Sequence, residues 1–167
     1  MKRYLLLTIL LLTSLVALPQ SKSTHDVYSA MMYNIFKYIQ WPDDNSPGNF
    51  VVGIMGDDDL LKAMQASYKG KNKGSKSLTV KKIESTADVA ECHVVFVTNN
   101  GNVSAVKTQL DGKPVLLVTN GEGLARKGSI LNFVTEAGKL RFELNQAALQ
   151  KANLKASGAL TSLAILI

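Results

Sequence analysis

The sequence has a single cysteine, Cys92. A lone cysteine excludes an intramolecular disulfide, so the core must hold together without covalent staples. There are only two histidines, His25 and His93, on different expected elements and with no cysteine or carboxylate at ligand spacing. The donor set of a zinc site or of histidine-based catalysis is therefore missing. Cys92 and His93 are neighbours, but adjacent strand residues point to opposite faces and cannot work as nucleophile and base. No serine stands in a G-x-S-x-G setting, and no internal repeat, heptad pattern or low-complexity block appears. These absences predict no catalytic residue, no metal and no cofactor, so an enzyme is the weaker reading.

What is present points to export. Met1-Lys2-Arg3 precedes an apolar run from Tyr4 to Leu18. That is a positive lead and a hydrophobic segment of signal-peptide length, too short to span a bilayer comfortably. The expectation is a signal peptide over residues 1–20 and one domain over 21–167. The cut falls after Ala17, or near Ser21 or Ser23. No cysteine follows the run, which excludes lipid attachment at an N-terminal cysteine. Without Lys2 and Arg3, 17 basic residues face 13 acidic ones, a net of +4. This mild charge suits a solvated periplasmic protein and does not call for nucleic acid.

Along the chain, Asp26 to Gln40 carries Val27, Ala30, Met31, Asn34, Ile35, Tyr38 and Ile39 at helical spacing. Trp41-Pro42 stops that helix, because the residue before proline is pushed out of the helical region. Tyr33, Phe36, Tyr38 and Trp41 read as core packing, with an aromatic ligand platform as the alternative. Phe50–Met55 is nearly continuous in apolar residues, as in a strand buried on both faces. It leads to Gly56-Asp57-Asp58-Asp59 and a helix from Leu60 to about Tyr68. Strand, glycine, helix suggests a phosphate loop, but three aspartates stand where the anion would sit. Helix capping explains them better than a divalent cation does.

Lys69–Ser77 reads as a basic, glycine-rich surface loop, and with Lys81 and Lys82 it brings six lysines into fourteen residues. No aromatic residue follows Tyr68 there to stack a base, which argues against nucleic acid. Lys71, Lys73 and Lys76 are the candidate contacts to an acidic partner. Leu78–Ile83 is an expected edge or half-exposed strand, and Ser85–Ala90 a short helical turn. His93–Thr98, the helix Val103–Leu110 and the strand Val115–Thr119 follow. Strands alternating with helices predict a three-layer α/β fold with a mixed, mainly parallel sheet of about six strands and helices on both faces. A site in such a fold belongs at the carboxyl ends of the parallel strands. The loops there are Gly56–Asp59, Thr98–Asn102 and Asn120–Gly123. Asn99, Asn100, Asn120 and Glu122 are the candidate ligand contacts, with plain turn geometry as the alternative.

Gly128 to Ile167 organises the rest. Two apolar runs, Ile130–Val134 and Leu140–Leu144, flank Glu136-Ala137-Gly138-Lys139, which is a hairpin signal. Leu140, Phe142 and Leu144 alternate with Arg141 and Glu143, so the first three share one face. Asn145 stands at the N-cap position before QAALQKA. A second helix is expected after Ser157, burying Leu160, Leu163, Ala164 and Ile167.

Four segments also carry a resemblance: Tyr33–Pro42 (YNIFKYIQWP), Glu91–Thr98 (ECHVVFVT), Gly112–Phe133 and the closing stretch from Ile130. They resemble, in order and over nearly the whole mature chain, the YfiR-like family of periplasmic regulators. The resemblance implies a non-catalytic protein that binds the periplasmic sensor domain of an inner-membrane signalling enzyme and holds it inactive. In that family the partner is a diguanylate cyclase, with cyclic di-GMP and biofilm formation downstream. A membrane histidine kinase is an alternative partner, a homodimer is plausible for the family, and a small-ligand binding module is the alternative function. Some members carry several cysteines. This chain departs there, so redox control does not carry over.

Overall fold

Six of the expected strands pair into one sheet in the computed structural model, which describes residues 23–43, 45–98 and 102–167. The first half runs α1 (Thr24–Phe36), β1 (Ile39–Gln40), β2 (Asn49–Met55), α2 (Asp58–Tyr68), β3 (Asn72–Lys73) and β4 (Lys76–Lys82). A 3₁₀ turn (Thr86–Glu91) then leads to β5 (Val94–Val97), α3 (Val103–Gln109) and β6 (Leu116–Thr119). The closing part is β7 (Leu131–Glu136), β8 (Lys139–Leu144), α4 (Gln146–Lys151), β9 (Lys155–Ala156), α5 (Gly158–Leu163) and β10 (Ile165–Leu166).

The large sheet has the order β10-β8-β7-β6-β5-β2-β4-β3. Its centre, β4-β2-β5-β6-β7, is parallel throughout. The chain starts at β2, crosses to β4 on one side, and then builds β5, β6 and β7 on the other. That reversal makes a doubly wound sheet with its switch point between β2 and β5. The hairpin β7–β8 adds an antiparallel pair, which makes the sheet mixed.

Burial on both faces explains the apolar runs. In β5, Val94 and Phe96 face one core with Met32, Phe36, Leu60 and Met64 from α1 and α2. Val95 and Val97 face the other, with Val89 of the 3₁₀ turn and Val103 and Val106 of α3. These are the three layers. Gly53, mid-strand in β2, is needed for the second layer: a Cβ there would stand 2.7 Å from Ile83 Cγ1 and 2.9 Å from Cys92 Sγ. The helix starts follow local rules. Ser23 and Asp26 form a capping box for α1, and Asp57 Oδ1 accepts the Asp59 and Leu60 amides at α2. Asn145 and Ser157 cap α4 and α5. The Ala137-Gly138 turn has φ of 48° and 74°, the pattern of a two-residue hairpin turn whose twist matches its strands.

Three local expectations are corrected. The first helix ends at Phe36, not Gln40, because Ile39 and Gln40 instead pair antiparallel with β9. Lys69–Ser77 is not a solvated loop: Asn72–Lys73 turns back as β3 onto β4, and Lys76 is only 3% exposed. The last helix buries Leu160 alone and stops at Leu163, which is 63% exposed. Ile165 and Leu166 then run parallel to β8, where Ile167 N–H donates to Leu144 O at 3.0 Å. An open strand edge offers main-chain partners that a six-residue helix end lacks.

Candidate functional site

The candidate residues separate to opposite ends of the sheet. Asn120 and Glu122 follow β6 and lie at the carboxyl end, Asn120 half-buried and Glu122 exposed. Asn99 and Asn100, also expected there, lie outside the described residues. Lys71 and Lys73 precede β4 and Lys76 is its first residue, so all three lie at the amino end. Parallel pairing through β2 and β5 keeps the two groups apart.

At the carboxyl end, the Asn120–Gly123 loop is held by a residue the sequence reading passed over. Asn132 of β7 is fully buried. Its Nδ2 donates to Gly121 O at 2.8 Å, and its Oδ1 accepts Gly121 N–H at 3.2 Å. The side chain thus copies a strand's main-chain pairing. Thr119 Oγ1 stands 2.7 Å from the same Oδ1 and 2.8 Å from Ser129 Oγ, while Nδ2 also donates to Glu143 Oε2 at 2.8 Å. Asn132 is one polar residue in an apolar run, and that interruption was the available signal. Nearby, Asp57 is committed to capping α2, and its Oδ2 faces His25 Nε2 at 3.3 Å.

At the amino end, the Trp41-Pro42-Asp43 corner is tied to three strands. Trp41 Nε1–H donates to His93 O at 3.2 Å. Val51 N–H donates to His93 Nδ1 at 3.2 Å, which leaves the ring proton on Nε2, 3.4 Å from Asp43 Oδ2. Lys76 Nζ donates to the same Oδ2 at 2.8 Å. Phe50 packs against both Trp41 and His93, with centroids 4.8 and 4.7 Å away. Around this corner three further lysines, exposed Lys37 and half-buried Lys71 and Lys73, lie over rings. Lys37 and Lys71 Nζ stand 4.5 and 4.6 Å from the Tyr33 centroid, and Lys73 Nζ stands 5.0 Å from Trp41. Lys71 and Lys73 therefore do meet aromatic groups, supplied by α1 and by the corner after β1. Lys76 does not join them. Its ammonium is committed to Asp43 beneath the surface, which removes it from any contact face.

The hydrogen bond from Lys76 holds the Asp43 carboxyl below its ordinary 3.8, with the His93 ring adding to the shift. A depressed folded value means the pair stabilises the fold above the unfolded pKa. That stability is lost as pH falls through the lowered folded value. The two partners are unequal, because Asp43 is half-exposed and Lys76 is not. Asp43→Ala strands a buried ammonium and is expected to cost about 2–3 kcal/mol. Lys76→Met leaves only a solvated carboxylate and is expected to cost under about 1 kcal/mol. Urea midpoints at neutral pH test the order; equal costs would place Lys76 in solvent. Cys92 is inert for a similar reason of environment: burial pushes its thiol up to about 11.

Among the described residues, no group of three or more His, Cys, Asp or Glu could hold a metal ion, and no helix is long and apolar enough to cross a membrane. The chain is thus a three-layer, doubly wound α/β protein whose polar clusters at the sheet ends serve pairing and capping. The chain belongs to the YfiR/HmsC-like family, whose model matches residues 25–165. No curated protein sequence matches it. Among solved structures it is similar to a conserved domain protein from Vibrio cholerae O1 biovar eltor, with a TM-score of 0.52 and 12% identity. That likeness covers 86% of this chain and 60% of the other, and it shows the fold.

Proposed function

We propose that this protein is a periplasmic regulatory protein of cyclic di-GMP signalling. It binds the periplasmic sensor domain of an inner-membrane signalling enzyme, a diguanylate cyclase by family resemblance, and holds it inactive without chemistry of its own. The observation that carries this reading is the family match over residues 25–165. The polar clusters are consistent with it, since the hydrogen-bonding capacity of Asn132 and Lys76 is spent on structure rather than presented to a substrate. Among the described residues, the large apolar side chains left exposed are Tyr38, Leu163 and Leu166. Exposed apolar groups inside a polar rim are what a protein contact needs. The short edge strand β10, with Leu166 on it, is the place where a second copy would pair. Export by a signal peptide over residues 1–20 is part of the same reading.

The test is capture of detergent-solubilised inner-membrane proteins on the immobilised protein, against a scrambled bait. Retention of an integral membrane signalling enzyme is expected. If none is retained, the regulatory reading fails and a small-ligand binding module takes its place. With the partner in hand, Lys71→Ser with Lys73→Ser should slow association and flatten its salt dependence. Stability should change by no more than about 1 kcal/mol, the scale of an exposed cation–π contact. Lys76 is left intact because its ammonium is buried against Asp43, away from the contact face.

A further inference from the structure

A cavity of about 250 Å³ opens at the amino end of β6 and β7, where the end of α3 meets α4. Leu110, Val115, Leu117, Ile130, Ala148 and Ala152 give it an apolar floor. Lys107, Asp111 and Lys151 also line it and are exposed, which puts them at its mouth. The two ammonium groups are held differently. Lys107 lies flat against the turn before β7: a Cβ on Gly128 would stand 2.7 Å from its Cε and its Nζ, and Nζ donates to Lys127 O at 3.1 Å. Glycine is needed there for the lysine as well as for its φ of 106°. An ammonium has three N–H donors, so this bond orients Lys107 and leaves it able to donate to a ligand. Lys151 of α4 pairs with Asp111, which follows α3. Both side chains are mostly exposed, and an ion pair in water contributes little and opens readily.

We propose that this cavity binds a small aliphatic carboxylate, its chain on the apolar floor and its carboxylate between Lys107 and Lys151. Charge complementarity sets the head group. Two lysines and one aspartate stand at the mouth, and Lys113, Arg126 and Lys127 are exposed on the flanking turns. The walls set the body. The apolar side chains are all aliphatic, and among the described residues that line the cavity none is an aromatic that would stack a ring. The volume sets the length. It lies below the range of drug-sized sites and equals the share of roughly eight waters in the liquid, room for a chain of about six to eight carbons. A lipid acyl chain is too long for it. The assignment is independent of the regulatory reading, because binding is read on this protein alone.

Octanoate is the probe, titrated into the protein and followed by two-dimensional amide NMR. The signals of Gly112, Gly128 and Ala148 are expected to move saturably, while that of Gly70, in the lysine-rich turn after α2, stays. Butyrate should bind at least about tenfold more weakly, because it leaves much of the floor uncovered. Octanol has the same chain without the charge and should bind at least about threefold more weakly. Lys107→Gln and Lys151→Gln are each expected to weaken octanoate about threefold. Asp111→Asn should act the other way and tighten it about twofold, since it removes the competitor for Lys151 and a repelling charge. All three positions are exposed, and urea midpoints confirm that each variant is folded. Weaker octanoate binding by Asp111→Asn overturns the site, as does a shift at Gly70 equal to that at Gly128. A gain of about tenfold on passing to dodecanoate also overturns it, because an open apolar surface that takes lipid chains gains with every methylene. Tighter binding of phenylpropanoate than of octanoate overturns the aliphatic class. If octanoate binds as expected but no membrane enzyme is captured, the regulatory reading falls and this site stands.

Discussion

Phe142→Ala is expected to lower the unfolding free energy by about 3–5 kcal/mol. Phe142 sits in β8, 6% exposed, and pairs in register with Phe133 of β7. The Phe133 ring in turn lies 5.9 Å from Phe96 of the central strand and 5.0 Å from Tyr28 of α1. Phe142 therefore completes an aromatic row running from the hairpin to the centre of the sheet. Truncation leaves a cavity between packed strands that cannot close without moving the hairpin. Domains of this kind hold only about 5–15 kcal/mol in total, so the loss is a large share. Urea titration decides it. An unchanged midpoint would mean that the β7–β8 register is shifted by one residue and the ring faces water.

The second large effect is expected at Asn132. Asn132→Leu keeps the volume but removes the side-chain partner of Gly121 N–H and Gly121 O, and one of the two partners of Thr119 Oγ1, which keeps Ser129 Oγ. Each stranded buried group costs about 1–3 kcal/mol, and Gly121 recovers part of this from water, so a net loss of about 3 kcal/mol is expected. Asn132→Asp separates hydrogen bonding from packing. The new carboxyl still accepts from Gly121 N–H, but it faces Gly121 O and the Glu143 carboxylate, which Asn132 Nδ2 now satisfies. Its folded pKa is raised above the ordinary carboxylate value, so the destabilisation exists while it is ionised. That variant should therefore gain stability as pH falls from about 7 to about 5. The wild type should not, since its Asp43–Lys76 pair weakens only at lower pH. Denaturation midpoints across that range would show a rising trend in the variant alone. Parallel curves would mean that Asn132 is not facing Glu143.

Where physics is local, the chain was legible. The runs Phe50–Met55 and Val115–Val118 are free of polar side chains because both faces are covered. Ser157, Asn145 and an aspartate after Gly56 announced helix starts through side-chain oxygens that can reach their own amides. The alternation of Leu140, Phe142 and Leu144 with Arg141 and Glu143 set the hairpin faces. The resemblance in four separated segments pointed to the family whose model matches the chain.

What was not legible depends on partners distant in sequence. Nothing in YIQWP states that Ile39 and Gln40 pair with Lys155 and Ala156, more than a hundred residues later, and without that ladder the helical pattern continues. The end of the chain reads as a helix face until the free edge of β8 is available to receive it. Lys76 looks like its neighbours Lys71 and Lys73. Only the fold sets Asp43 beneath it, so that one lysine is buried while two lie over rings. By itself, then, the sequence determined the elements, their caps, the hairpin and the family, because those follow from residue spacing within a few turns or strands. Strand order, the edge strands and the division of lysines into buried and exposed were decided by tertiary structure. Long-range pairing and burial select among local options of nearly equal free energy.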